Sequence, residues 1–136
     1  MTHQVVKTLA FCYGHRLTDY SGKCKNLHGH NGRLEITLQK ERLDKLGMVV
    51  DFVEIKEKIK AWVDEALDHR MLISSKDPML SALKAADPTV VAVDFNPTAE
   101  NIARMIFEKV KSLGFPVTEV RLWETDTSCA VFKNQG

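Results

Sequence analysis

The sequence has no apolar run long enough for a bilayer-crossing helix, which needs about 20 residues. Its N-terminus, MTHQVVKTLAF, lacks the charged start, apolar block and cleavage site that a secretory signal carries in that order. A cytoplasmic location is therefore expected. Charge of one sign is also missing, since 19 Lys and Arg against 18 Asp and Glu leave a net charge of +1. So small a balance gives no global field to recruit nucleic acid or an anionic membrane. Nor does any stretch combine aromatic and basic residues into a nucleic-acid patch. Cysteine is scarce, with three in 136 residues. An odd number without a signal argues against a disulfide scaffold and for free thiols in a reducing compartment. No repeat, low-complexity tract or linker breaks the chain. Residues 1–136 are thus expected to form a single domain around one core.

What is present is alternation, then helical spacing, then alternation again. Residues 4–14 set Leu9, Phe11, Tyr13 and His15 on one parity, the pattern of a half-buried strand. Residues 16–27 are polar and read as a loop. Residues 28–38 alternate again, with Leu34, Ile36 and Leu38 on one face. Two strands joined by a loop most simply make an antiparallel hairpin. Asp51 is a good N-cap with Glu54 in capping-box position, and Phe52, Ile55, Ile59, Trp62, Val63 and Ala66 follow at helical spacing. Pro78 and Pro88 break residues 70–93, with a short strand expected near Val90–Phe95. Pro97 and Thr98 open a second helix carrying Ile102, Ile106, Val110 and Leu113, which Gly114 and Pro116 end. Residues 117–124 and 128–133 read as a second strand pair. The order strand, strand, helix, helix, strand, strand is an α+β pattern.

The stretch KCKNLHGHNG concentrates the chemistry. His28 and His30 share parity with the apolar face of their strand, and Gly29 between them lets another group approach closely. The hairpin could bring His15, at the far end of the first strand, back alongside them. Three imidazoles converging at a sheet end, with a fourth position open, are the arrangement of a catalytic zinc site. Two further readings concern Cys24. It could be a fourth ligand in a closed structural site, or a reactive thiol beside the metal, favoured by Lys23 and Lys25. A His-x-His pair alone is weak evidence, because most such pairs are ordinary surface or core histidines.

Two more places carry candidate chemistry. Asp68–His69, at the end of the first helix, could be a proton-transfer pair. Neighbours on a helix do not face each other, so a direct bond requires the helix to have ended first. The plainer reading is a C-terminal histidine favoured by the helix dipole. In RLWETDTS, Glu124 shares parity with Val120 and Leu122, so a carboxylate ends an apolar strand face. It could accept paired hydrogen bonds from an amidine-like edge, such as that of a pterin or guanine, or it could simply reach solvent. Cys12 and Cys129 are expected to be small core residues. Tyr13, Trp62 and Trp123 are expected to pack.

Taken in order, FCYGHRL, GKCKNLHGHN, GMVVDF, LDHRML, NPTAEN and RLWETDTS resemble the 6-pyruvoyltetrahydropterin synthase superfamily over residues 8–132. Three residues separate Cys24 from His28, which resembles the bacterial 6-carboxytetrahydropterin synthases of the queuosine (7-deazaguanine) pathway. The animal pyruvoyl enzymes have a longer gap. The resemblance implies that His15, His28 and His30 bind Zn²⁺, that Cys24 is the catalytic thiol, that Asp68 and His69 relay a proton, and that Glu124 anchors the pterin. It implies a tunnelling fold, a four-stranded antiparallel sheet with two helices on one face, assembled through a barrel into a homo-hexamer of two trimers with active sites between subunits. It also implies conversion of 7,8-dihydroneopterin triphosphate to 6-carboxytetrahydropterin, acetaldehyde and triphosphate. Arg16, Lys23 and Lys25 are candidate triphosphate contacts, although solvated loop charge is the simpler reading of each. Gly14 stands where the family usually has alanine. Lys76–Asp87 belongs to a stretch longer than in compact bacterial members and is expected to be an extra loop or helix at a subunit contact. The competing functions are the sibling pyruvoyl synthase, which eliminates triphosphate only, and a non-catalytic zinc-stabilised binding module.

Overall fold

The computed structural model describes residues 1–19 and 21–134. Strand β1 (His3–His15) and strand β2 (His28–Lys40) pair antiparallel in unbroken register, from His3 opposite Lys40 to His15 opposite His28. The alternation seen in the sequence decides which face is covered. Leu9, Phe11, Leu34, Ile36 and Leu38 all point into the core and are buried.

Helix α1 follows as three consecutive pieces, Phe52–Glu54, Ile55–Lys60 and Ala61–Ala66, the middle one π-helical. The Asp51 side chain accepts from the Val53 amide, so the cap forms. The capping box does not close, because the Glu54 carboxylate turns along the helix to Lys58 at 3.6 Å. Ile55, Ile59 and Val63 face the sheet, whereas Phe52 is 58% exposed and lies outside the core stripe. Strand β3 (Arg70–Ser74), helix α2 (Leu80–Ala86) and strand β4 (Val91–Val93) fill the segment between the two expected helices. Helix α3 (Ala99–Ser112) is capped by Thr98, whose hydroxyl accepts from the Asn101 amide, and it buries Ile102, Ile106, Phe107 and Val110. Strands β5 (Val117–Thr125) and β6 (Ser128–Lys133) close the chain.

Two expectations need correction. The sheet has six strands, in the order β4-β3-β1-β2-β5-β6, instead of four. The four expected strands do form an antiparallel block, but β3 runs parallel to β1 and β4 parallel to β3. The α1 crossover carries the chain back to the free edge of β1, where Leu72 and Ile73 become fully buried. Burying each such side chain contributes about 1.5–3 kcal/mol, enough to hold a short strand there. Among the described residues there are three α-helices instead of two, because Leu80–Ala86, within the Lys76–Asp87 stretch expected to be an extra loop or helix, forms α2. The two long helices, α1 and α3, share one core with the same face of the sheet, as the alternation requires.

Candidate metal and active site

The hairpin register sets His15 directly opposite His28 and Tyr13 opposite His30. Gly14 pairs with Gly29 between them, and a Cβ at position 29 would stand 3.2 Å from the Tyr13 carbonyl oxygen. The strands thus stay close where the imidazoles gather. One ligating nitrogen from each of His15, His28 and His30 lies within 4.8 Å of the others.

Second partners orient two of the rings. The Pro97 carbonyl accepts from His15 Nδ1 at 2.7 Å, and the Asn26 carbonyl accepts from His28 Nδ1 at 2.7 Å. A ring that donates through Nδ1 keeps its Nε2 lone pair for another partner. His15 is only 2% exposed, and burial lowers its pKa below the ordinary value, although the Pro97 bond and the nearby Glu124 charge pull the other way. The neutral ligand form is therefore favoured. His15 Nε2 and His30 Nε2 are 3.1 Å apart. Two lone pairs at that distance repel unless a proton or cation lies between them. Tetrahedral zinc, bound at about 2.0–2.1 Å, would separate its nitrogens by roughly 3.3 Å. The donor set therefore fits a metal with a few tenths of an ångström of adjustment.

Glu124 belongs to the same centre. The β5–β6 register slips between Trp123 and Thr125, and such a bulge re-aims the side chain at the slip. Glu124 Oε1 lies 3.6 Å from His15 Nε2 and 3.8 Å from His30 Nε2, and the Tyr13 hydroxyl donates to it at 3.4 Å. Tyr13 packs as expected, stacked on Phe11 at 5.1 Å. Its hydroxyl is a polar contact that the packing reading missed, although its parity with His15 was visible. Burial raises the Tyr13 pKa, with the Glu124 charge and hydrogen bond adding to it.

Asp68 and His69 bond directly, Nδ1 to Oδ2, at 2.9 Å. This is possible because α1 has ended at Ala66 and His69 takes a left-handed φ of 61°. Asp68 Oδ1 accepts from the Cys12 amide at 2.8 Å, and the His69 amide donates to the Cys12 carbonyl at 2.6 Å. The Cys12 amide, followed by the His69 bond, holds the Asp68 carboxyl below the usual carboxylate range against the opposing effect of burial. His69 lines a cavity of 410 Å³ with Cys12, His28, His30 and Met71.

Cys24 sits on a 3₁₀ turn, Lys23–Lys25, outside the three-histidine group and outside the lining of that cavity. Among the described residues, the closed site with Cys24 as fourth ligand is not formed. Cys12 and Cys129 are not core residues either. The Cys12 thiol faces outward and donates to Asn31 Oδ1 at 3.0 Å, and Cys129 is exposed. Trp62 packs partly against the core. Trp123 lies on the outward parity, donating to Glu35 at 3.0 Å with Arg33 stacked 4.8 Å above its ring. The Pro97 and Asn26 carbonyls could not have been found from residue types, since any residue supplies a carbonyl.

Fold and site together define an α+β protein with a three-histidine centre, able to hold a metal, at the end of its central hairpin. The chain belongs to the 6-pyruvoyl tetrahydropterin synthase family, whose model matches residues 4–135. A Rickettsia bellii protein named 6-carboxy-5,6,7,8-tetrahydropterin synthase is 42% identical over 127 residues, covering 88% of this chain and 91% of its own length. An Aquifex aeolicus protein of the same name is 32% identical, covering 99% of this chain and all of its own. Among solved structures, an uncharacterised Wolinella succinogenes protein superposes with a TM-score of 0.82 at 27% identity, covering 99% of each chain. The 6-pyruvoyl tetrahydropterin synthase of Caenorhabditis elegans superposes with a TM-score of 0.74 at 26% identity, covering 99% of this chain and 97% of its own. No helix is long and apolar enough to cross a membrane among the described residues.

Proposed function

We propose that the chain is a lyase that converts 7,8-dihydroneopterin triphosphate and water to 6-carboxy-5,6,7,8-tetrahydropterin, acetaldehyde and triphosphate; the relatives named 6-carboxy-5,6,7,8-tetrahydropterin synthase support the pterin product. The observation that carries this reading is the convergence of His15, His28 and His30 with Glu124 beside them. Three imidazoles favour zinc over magnesium or calcium. When bound, zinc supplies Lewis-acid stabilisation of charge developing on the substrate's side-chain oxygens. Glu124 accepts the paired N–H donors of the pterin edge and orients the ring. The Cys24 thiolate takes a proton from the side chain, and His69, held by Asp68, supplies or accepts one. Triphosphate leaves by elimination, a water adds to the resulting C1′ carbonyl and supplies the second carboxyl oxygen, and cleavage of the C1′–C2′ bond then releases acetaldehyde.

The proposed assembly is a homo-hexamer of two stacked trimers whose sheets join into a barrel. Cys24 of one chain would meet Asp68–His69 of another, which accounts for their separation within one chain. Exposed Leu46, Phe52 and Val53 leave apolar surface for such contacts.

The test is mass-spectrometric product analysis of the zinc-loaded protein incubated with 7,8-dihydroneopterin triphosphate. Formation of 6-carboxytetrahydropterin with acetaldehyde supports the proposal. A 6-pyruvoyl product would assign the sibling activity, and unchanged substrate with zinc bound would favour a binding module. Cys24→Ala is expected to abolish turnover while zinc stays near one per chain. Joint loss of zinc and turnover would make Cys24 a ligand instead.

A further inference from the structure

The turn that carries Cys24 buries no residue of its own, so apolar packing does not fix it. Hydrogen bonds to the end of β1 do. The Leu17 amide donates to the Cys24 carbonyl at 2.8 Å, and Arg16 Nη1 donates to the Lys25 carbonyl at 3.1 Å. Arg16 is held in turn by Asp77, with Nε donating to Oδ2 at 2.6 Å. The Asp77 side chain is 0% exposed and that of Arg16 is 19% exposed. The other Asp77 oxygen accepts from the Met79 amide at 2.8 Å, which locks the carboxylate's direction. Burial opposes the Asp77 charge, but the Arg16 and Met79 bonds outweigh it and hold the carboxyl below its usual range.

We propose that Asp77 and Arg16 are a positioning pair that sets the Cys24 turn relative to the histidine centre. The inference rests on the reading of Cys24 as the catalytic thiol. It gives a purpose to residues 75–79, the link between β3 and α2 that carries Asp77. Arg16 is then held in place by Asp77 on one side and the Lys25 carbonyl on the other, so it serves the turn before any triphosphate. A lysine would hold both partners less firmly, since its donors radiate from one nitrogen and are not fixed apart on a planar fork.

The test uses the zinc-loaded full chain, its Asp77→Asn and Arg16→Lys variants and their combination. Iodoacetamide labelling read by peptide mass spectrometry follows Cys24, with Cys12 and Cys129 as internal references. Loosening one hydrogen bond of the clamp is expected to speed Cys24 labelling about tenfold in each variant. The Cys12 and Cys129 rates and the zinc content should not change. With 7,8-dihydroneopterin triphosphate, kcat should fall about tenfold while KM stays within about twofold. The double variant should be no worse than the poorer single one, because both changes break one chain of contacts. An unchanged Cys24 rate, or equal acceleration of all three cysteines with zinc loss, overturns the proposal. If the unaltered protein turns over no substrate, the proposed function fails, while the labelling still decides whether the pair holds the turn.

Discussion

His15 is the least exposed of the three imidazoles, and its environment makes folding sensitive to pH. Burial pulls its pKa below the ordinary 6.5. The unfolded chain therefore binds a proton that the folded chain resists, and stability falls as pH drops below 6.5 until the folded value is reached. The melting temperature of the metal-free protein is expected to fall between about pH 7 and about pH 5.5. His15→Asn can still donate to Pro97 but cannot titrate, so its melting curve should be flatter over that window. Equal steepness in both proteins would remove His15 as the cause. Asp68 and Asp77 act lower, because their depressed carboxyls stabilise the fold above the ordinary 3.8 and lose that contribution as pH falls past it. His69 raises a different matter. Its φ of 61° costs an L-residue about 1–2 kcal/mol, a strain kept where a side chain must be aimed. Asparagine tolerates this conformation, so His69→Asn should leave unfolding free energy within about 1 kcal/mol of the parent. The same change should lower kcat by about 10²–10⁴-fold. Chemical denaturation beside steady-state kinetics would separate the two effects.

The long elements announce themselves through periodicity. Apolar residues alternate along the covered parts of β1 (Leu9, Phe11, Tyr13), β2 (Leu34, Ile36, Leu38) and β5 (Val120, Leu122), and in α3 they recur every three or four, so the antiparallel block and its covered face were readable. The three histidines were readable for the same reason, since parity and hairpin register put them together before any contact was known. β4 was legible as the short strand expected near Val90–Phe95, but β3 and the parallel pairing of both strands were not, because they pair across crossovers and leave no turn signal between partners. The π-helical stretch Ile55–Lys60 also left no mark in the spacing of apolar residues. The Asp77–Arg16 contact joins residues 61 positions apart, a relation no local pattern carries. Two glycines of the hairpin make the element-scale argument testable. A Cβ at Gly32 would stand 3.0 Å from the Tyr13 ring and 3.2 Å from the Phe11 carbonyl, both inside the core. Gly32→Ala should therefore cost about 1–3 kcal/mol of stability. A Cβ at Gly14 meets chiefly the flexible end of Met71, at 2.6 Å. Gly14→Ala should cost about 1 kcal/mol or less, and urea unfolding of the pair would check the ranking.

At the scale of the whole molecule, no hydrogen bond and no shared cavity among the described residues joins the groups proposed for proton transfer. Cys24 lies on the β1–β2 connection and His69 beyond α1, and the cavity that His69 lines does not include Cys24. In the proposed assembly a neighbouring copy would complete the site, and closed symmetry would repeat the same contact around the ring. Complementation then follows from counting. Cys24→Ala and His69→Ala homo-oligomers should each be inactive. When the two chains are co-expressed and mix at random, a site draws its thiol from one chain and its imidazole from another. Only the combination taking Cys24 from the His69→Ala chain and His69 from the Cys24→Ala chain is intact. Hybrids should therefore recover about a quarter of the parent activity. Purified hybrids with both chains confirmed by mass spectrometry and no recovered turnover would mean that each chain completes its own site. In that case the Cys24 turn would have to move toward His69 when substrate binds.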